Sequence, residues 1–285
     1  MIHSMTGYGK TVLQLPTKKI TIELKSLNSK NLDLNVRIPS YYREKELNIR
    51  KMLAAALVRG KIDFSIYIEN NGGETSSKVN ENVVKEYMGQ LRNIVDSNEV
   101  ELLKMAVRLP DALKTEREEL DPEEWAQIET GIKNAILEIS KYRSDEGAAL
   151  YNDFVVRISN IERLLSEVIE MDPQRMEQVK ERLSKGVEEL AAKVDQNRFE
   201  QELIYYIEKL DITEEKVRLK NHLEYFKKSL KSDDSNGKKL GFITQEMGRE
   251  INTIGSKSNF AEMQKLVVQM KDELEKIKEQ NLNVL

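Results

Sequence analysis

Cysteine is absent from the sequence, which excludes disulfides, thiolate nucleophiles and cysteine-ligated zinc. Histidine occurs only as His3 and His222, and tryptophan occurs once. No apolar run approaches the ~20 residues that cross a bilayer. The opening MIHSMTGYGK has no signal-peptide core, so a cytoplasmic protein with no membrane partner is expected. What is present is 39% apolar and 33% charged over 285 residues. That supplies core for one large or two modest domains and suits a helix-rich chain.

The net charge of −4 argues against general affinity for nucleic acid, but it averages over a pattern. Residues 1–72 carry 12 Lys and Arg against 6 Asp and Glu, residues 73–208 carry 18 against 30, and residues 209–285 carry 15 against 13. Both ends are basic relative to the middle, the distribution that a polyanion site shared by the two ends requires.

Periodicity gives the order β-β-β-α-β followed by helices. This is an α+β chain with a small N-terminal sheet domain and a long-helix, mostly α C-terminal region. Ile2–Leu15 reads as a first strand, Ile20, Ile22 and Leu24 alternate in a second, and Leu32, Leu34, Val36 and Ile38 in a third. Glu44–Val58 has helical spacing and ends at Arg59-Gly60, and Lys61–Asn70 is a further strand. An antiparallel or mixed sheet packed on one helix is expected. Asn71-Gly72-Gly73-Glu74 is the clearest punctuation, and beyond it helices are expected over Asn80–Ser97, Glu99–Arg108 and Pro122 to about Met171. An interruption is expected near Ser144–Gly147 and a sharp turn at Asp172-Pro173. Helices over Arg175–Val194, Arg198–Lys209, Thr213–Leu230, the 238–257 stretch and Phe260–Asn281 follow. The expected units are an α+β domain at 1–72, a helical scaffold for oligomerisation at 73–196, and a helical domain carrying the candidate site at 197–285.

Within the last unit, Lys238–Lys257 departs from ordinary helix composition. Leu240, Ile243, Met247, Ile251 and Ile254 form one apolar stripe. The other faces hold Gln245, Arg249, Asn252 and Ser256 on one line and Glu246, Glu250, Thr253 and Lys257 on the next. Amides, hydroxyls, an arginine and interior glycines are poor helix formers, each glycine costing ~1 kcal/mol relative to alanine. Residues of that kind on the polar faces point to a ligand site. A second line, Asp211, Glu215, Arg218 and His222, falls at helical spacing on one face. Alone it is equally an ordinary salt-bridged face. Together with Glu246 and Glu250 it gives four carboxylates, arginines and a histidine, the components of metal-assisted phosphodiester chemistry. Gly7-Tyr8-Gly9-Lys10 lacks the spacing and strand-to-helix context of a phosphate loop, and tight backbone packing or a bulge accounts for it better.

Several segments together resemble one family. They are Met1–Gly9 (MIHSMTGYG), Glu23–Asp33 (ELKSLNSKNLD), Arg59-Gly60-Lys61-Ile62, Glu146–Leu150 (EGAAL), Asn197–Leu203 (NRFEQEL), the Asp211–His222 line and the Gln245–Ser258 block. Their order and extent resemble the bacterial YicC/YloC endoribonucleases over nearly the whole chain. The resemblance implies a metal-dependent endoribonuclease that cleaves single-stranded RNA, assembled as a ring-like homohexamer with RNA in a central channel. The chain departs from the family pattern at His3, at Lys30-Asn31 and at Gly248.

On this reading Asp211, Glu215, Glu246 and Glu250 are expected to hold one or two Mg²⁺ or Mn²⁺ ions, oxygen ligands suiting hard cations. Glu246, Glu250, His222 and Arg249 are the expected catalytic residues. Arg249 or Arg218 would neutralise charge on the phosphate. Lys238, Lys239 and Lys257, with Arg59 and Lys61 from the sheet domain, would track the RNA backbone. Asn28, Asn252 and Ser256 complete the substrate-binding set. A metal-free route with His222 as base on the 2′-hydroxyl is the competing chemistry, and an oligomeric RNA-binding or adaptor protein without catalysis is the alternative function.

Overall fold

The computed structural model describes residues 2–70, 78–114, 120–189, 196–232 and 237–285. The punctuation at 71–74 and positions 233–236 of the polar stretch Ser232–Lys238 lie outside the described residues. The N-terminal sheet forms from β1 (Gly7–Gln14), β2 (Lys18–Leu27), β3 (Leu32–Arg37) and β4 (Gly60–Asn70), with α1 (Glu46–Ala56) between β3 and β4. Its order is β1-β2-β4-β3. β1 with β2 and β2 with β4 are antiparallel, while β3 with β4 is parallel, giving the mixed form. β2 and β4 are central because their alternating residues are the most apolar. Ile20, Ile22 and Leu24, and Ile62, Phe64 and Ile66 on β4, are buried on one face.

Two helices, not one, cover that face. Ile49 and Leu53 of α1 share the core with Ile128, Ile132, Ala135 and Ile139, which lie on α4 (Pro122–Glu189) at one helical face. Gly7 and Gly9 explain how closely α4 lies on β1: a Cβ at Gly9 would stand 2.3 Å from the Ala135 carbonyl oxygen. Close packing is therefore the role of the Gly-Tyr-Gly sequence. Gly9→Ala is expected to destabilise the chain by about 1–3 kcal/mol through overpacking, seen as a lower urea midpoint by circular dichroism.

α4 runs unbroken for 68 residues, through both positions where a break was expected. At Gly147 a side chain would meet the Ile2 carbonyl oxygen at 2.1 Å. That glycine serves the approach of the N-terminal segment to the helix. Pro173 lies inside the helix at the loss of one backbone hydrogen bond. Val168, Asp172, Arg175 and Val179 are all buried and fall on one helical line across it. Burial along that line outweighs the local signal.

The remaining elements are β5 (Lys78–Val79), α2 (Glu81–Arg92), α3 (Glu99–Ala106), β6 (Leu113–Lys114), α5 (Gln196–Leu210), α6 (Thr213–Leu230), α7 (Gly237–Lys257) and α8 (Ala261–Asn281). β5 pairs with β6, and Val84, Ala106 and Ala112 form a small satellite core there. The main helical core joins Phe154, Ile158 and Ile161 of α4 to Leu219, Leu223 and Phe226 of α6 and to the apolar faces of α7 and α8. All five expected stripe residues of α7 are buried. The two large cores part along α4 between Ile139 and Leu150. No helix of the described residues is long and apolar enough to cross a membrane.

The last residues tie the helical part to the sheet. Met5 N donates to Asn283 O at 2.8 Å, and Leu285 N donates to His3 O at 2.9 Å. Asn28 Nδ2 donates to Leu282 O at 2.6 Å, and Arg59 Nη2 donates to Val284 O at 2.8 Å. Val284 is fully buried.

Candidate active site

α6 and α7 pack side by side, and their facing polar residues form one cluster. Glu215 is buried at 6% exposure because it falls on the core-facing line of α6 with Leu219. Lys257 Nζ donates to Glu215 Oε1 at 2.8 Å, while Glu215 Oε2 is buried without a hydrogen-bond partner. Glu250 is buried at 8% exposure, one position before Ile251 of the α7 stripe. Its carboxyl is pushed above the ordinary glutamate range, first by burial and further by Glu215 and Glu246, against the opposing charges of Arg218 and His222. Two buried acids side by side, one of them with its ionisation disfavoured by burial, held beside an arginine and a histidine, form the kind of centre that chemistry uses.

The structure thus brings Glu215, Arg218 and His222 of α6 together with Glu246 and Glu250 of α7, as the two sequence lines suggest. Asp211 stands at the α5–α6 corner. Its Oδ1 accepts from Thr213 N at 3.0 Å and from Thr213 Oγ1 at 2.7 Å, and the Thr213 hydroxyl holds its carboxyl below the usual range. Asp211 therefore closes a local turn just before the N-cap, Ile212, of α6. Glu246 pairs with Arg249 Nη1 at 2.7 Å on the exposed rim, and Arg218 pairs with Glu214. Among the described residues no three His, Asp or Glu side chains converge on one point that could hold an ion.

Of the expected substrate-binding residues, Asn252, Ser256, Lys238 and Lys61 are exposed or at the surface, and Ser256 Oγ donates to Thr253 O. Lys239 Nζ lies 5.1 Å above the Tyr225 ring. Lys257 is engaged by Glu215 and by Asp211 O, to which it donates at 2.9 Å. Asn28 and Arg59 hold the segment 282–285, beside Gly237 at the start of α7. Glu250 lies thirteen residues further along that helix, about 20 Å at the helical rise. The structure does not bring Asn28 and Arg59 to the carboxylates.

Sequence reasoning missed two features. Tyr225 and Phe242 are exposed at 47% and 60%, one turn from His222 and Glu246 respectively, and that spacing was the available signal. Asp172 and Arg175 were missed too. Arg175 Nε donates to Asp172 Oδ1 at 2.8 Å, and Lys216 Nζ donates to Asp172 Oδ2 at 2.6 Å. Their signal was a pair of opposite charges lying on the buried line of α4, masked by the turn expected at Pro173.

The chain matches the family model described as the N-terminal region of YicC-like endoribonucleases over residues 2–152. It matches the corresponding C-terminal model over residues 168–285. It is similar to a probable endoribonuclease YicC of Clostridioides difficile, 32% identical over 293 residues spanning all of both chains. A probable endoribonuclease YicC of Haemophilus influenzae is 28% identical over 288 residues, again across the full length of both. With both halves matched in order and a relative covered end to end, the chain belongs to the YicC-like endoribonuclease family.

Proposed function

We propose that the chain is an endoribonuclease that cleaves phosphodiester bonds of single-stranded RNA at the facing polar residues of α6 and α7. The observation that carries this reading is Glu250, buried beside Glu215 and facing Arg218 and His222. Burying two acids together is costly, and a site that presents them to a cation or a proton accounts for the arrangement. The names of the two relatives, both probable endoribonucleases, support the substrate.

Mg²⁺ or Mn²⁺ is the expected cofactor, and the residues fit it in part. Glu215 Oε2 lacks a partner, and Glu250 is buried next to it with its carboxyl pushed upward by that burial. A hard ion that keeps several waters needs only one or two carboxylates plus substrate phosphate. Glu215 and Glu250 would hold it, while the Asp211 carboxylate is engaged by Thr213 and Glu246 orients Arg249. When bound, such an ion polarises the phosphate and lowers the pKa of a coordinated water. Arg218 and the rim residue Arg249 place guanidinium groups to take phosphate oxygens. His222, half-buried on the same face, carries a proton to or from the reacting oxygens.

Preference for unpaired RNA is supported by Tyr225 and Phe242, whose exposed rings lie one turn from His222 and Glu246 and can stack bases that a duplex would hide. Assembly of several copies is supported by α5, where Ile204, Tyr205 and Tyr206 are exposed. An RNA substrate supports activity in the cytoplasm.

Product ends test the chemistry. Purified chain incubated with a labelled single-stranded RNA is expected to leave 5′-phosphate ends only when Mg²⁺ or Mn²⁺ is supplied. Formation of 2′,3′-cyclic phosphate in excess chelator overturns the metal-assisted route and transfers the chemistry to His222 acting on the 2′-hydroxyl.

A further inference from the structure

Resting on that reading of Glu215, we propose that Arg175 is a positioning residue for the cleavage centre, acting through Lys257 on the Glu215 carboxylate. Arg175 is 2% exposed, the largest of the fully buried side chains. Its Nη2 donates to Leu210 O at 2.9 Å and its Nη1 to Lys257 O at 3.2 Å. Leu210 ends α5 and Lys257 ends α7. The final carbonyls of a helix have no partner within it and carry its negative dipole end. One guanidinium therefore joins two helix ends by their backbones, where a change of side chain at either end cannot release it.

The link then continues to the acids. Lys257, whose carbonyl is fixed by Arg175, turns its own ammonium to Asp211 O and to Glu215 Oε1. Asp211 is the neighbour of Leu210, so the connections close into a ring around the α5–α6 corner. Asp172 anchors the ring from α4: it accepts from Arg175 and, through its other oxygen, from Lys216 beside Glu215 on α6. Glu215 is thereby set against Glu250 by four helices meeting at one buried cation. Buried ion pairs contribute little net stability relative to an apolar filling. A planar fork that meets three acceptors at once contributes orientation that a lysine, as a single point charge, cannot reproduce.

The test uses the full chain and a fluorogenic single-stranded RNA under saturating and sub-saturating conditions. Arg175→Lys is expected to lower kcat about tenfold with KM changed less than about twofold, because the defect is misorientation at the reacting centre. Lys257→Met is expected to do the same, and the double variant to be no slower than the slower single one, since both cut one connection. Unchanged kcat in Arg175→Lys, a loss carried by KM, or single losses that multiply overturns the proposal. Should Arg175→Lys fail to fold by circular dichroism, Asp172→Asn loosens the same guanidinium and carries the same expectation and refutation. Glu215→Gln separates the two levels. If it cleaves at the wild-type rate, the reading of the site fails. If it is slow while Arg175→Lys is normal, only the role of Arg175 fails.

Discussion

Glu250→Gln is expected to lower the rate of RNA cleavage about 10²–10⁴-fold, the range for removing a group that handles charge or protons at the reacting centre, and at the same time to stabilise the fold. Glutamine keeps the shape and loses the charge. The Glu250 carboxyl titrates above its ordinary range because it is buried, so the folded chain holds that proton more tightly than the unfolded chain does. The stability it contributes is fully present below the unfolded glutamate range and is lost as pH rises through the raised value. At neutral pH the wild-type chain therefore bears the cost of ionising a buried carboxyl, and the variant does not. Relief of about 1–2 kcal/mol would raise the unfolding temperature by roughly 2–8 °C in a chain of this size. Calorimetry at pH 7.5 and at pH 4 is the check: the gain is expected at the higher pH and is expected to vanish at the lower. A variant that is inactive and less stable at both would mean that Glu250 is a structural residue.

Val284→Asp is expected to produce the largest loss of stability. Val284 is fully buried in a segment held by backbone bonds to His3 and Met5 and by the side chains of Asn28 and Arg59. A charge there has no partner and breaks the joint between the sheet and the helical core. The expected cost is about 3–4 kcal/mol, which lowers the unfolding midpoint by roughly 6–16 °C. Arg59 is expected to affect stability through the same joint. Its alanine variant should bind RNA normally, as followed by fluorescence anisotropy, while unfolding at lower urea.

The parts of the fold that were legible in the sequence were those where one periodicity dominated. Ile20, Ile22 and Leu24 announced β2, and Leu240, Ile243, Met247, Ile251 and Ile254 announced the buried face of α7. The meeting of Glu215, Arg218 and His222 with Glu246 and Glu250 was legible because both lines sit on helices that follow one another closely in the chain. The unbroken course of α4 was not legible, because proline and glycine are local signals and the deciding contacts were remote. Gly147 answers to Ile2, and the line through Pro173 answers to α5, α6 and α7. For the same reason the hold of Asn28 and Arg59 on the last residues was not legible. Their partners are carbonyl oxygens more than two hundred residues away in sequence, and backbone acceptors leave no mark on residue type. Asp211 shows the opposite limit. Its spacing from Glu215 is correct for a shared ligand, while the local turn that its carboxylate makes onto the Thr213 N–H and hydroxyl has no signal in that spacing.

The most direct measurement compares wild type, Glu215→Gln and Glu250→Gln on one end-labelled single-stranded RNA, recording single-turnover cleavage and equilibrium binding from the same preparations. If the paired buried carboxylates are the cleavage centre, both variants bind within about threefold of wild type and cleave at least about a hundredfold more slowly. Cleavage at the wild-type rate by either variant, or a loss of binding that matches the loss of rate, would contradict that assignment.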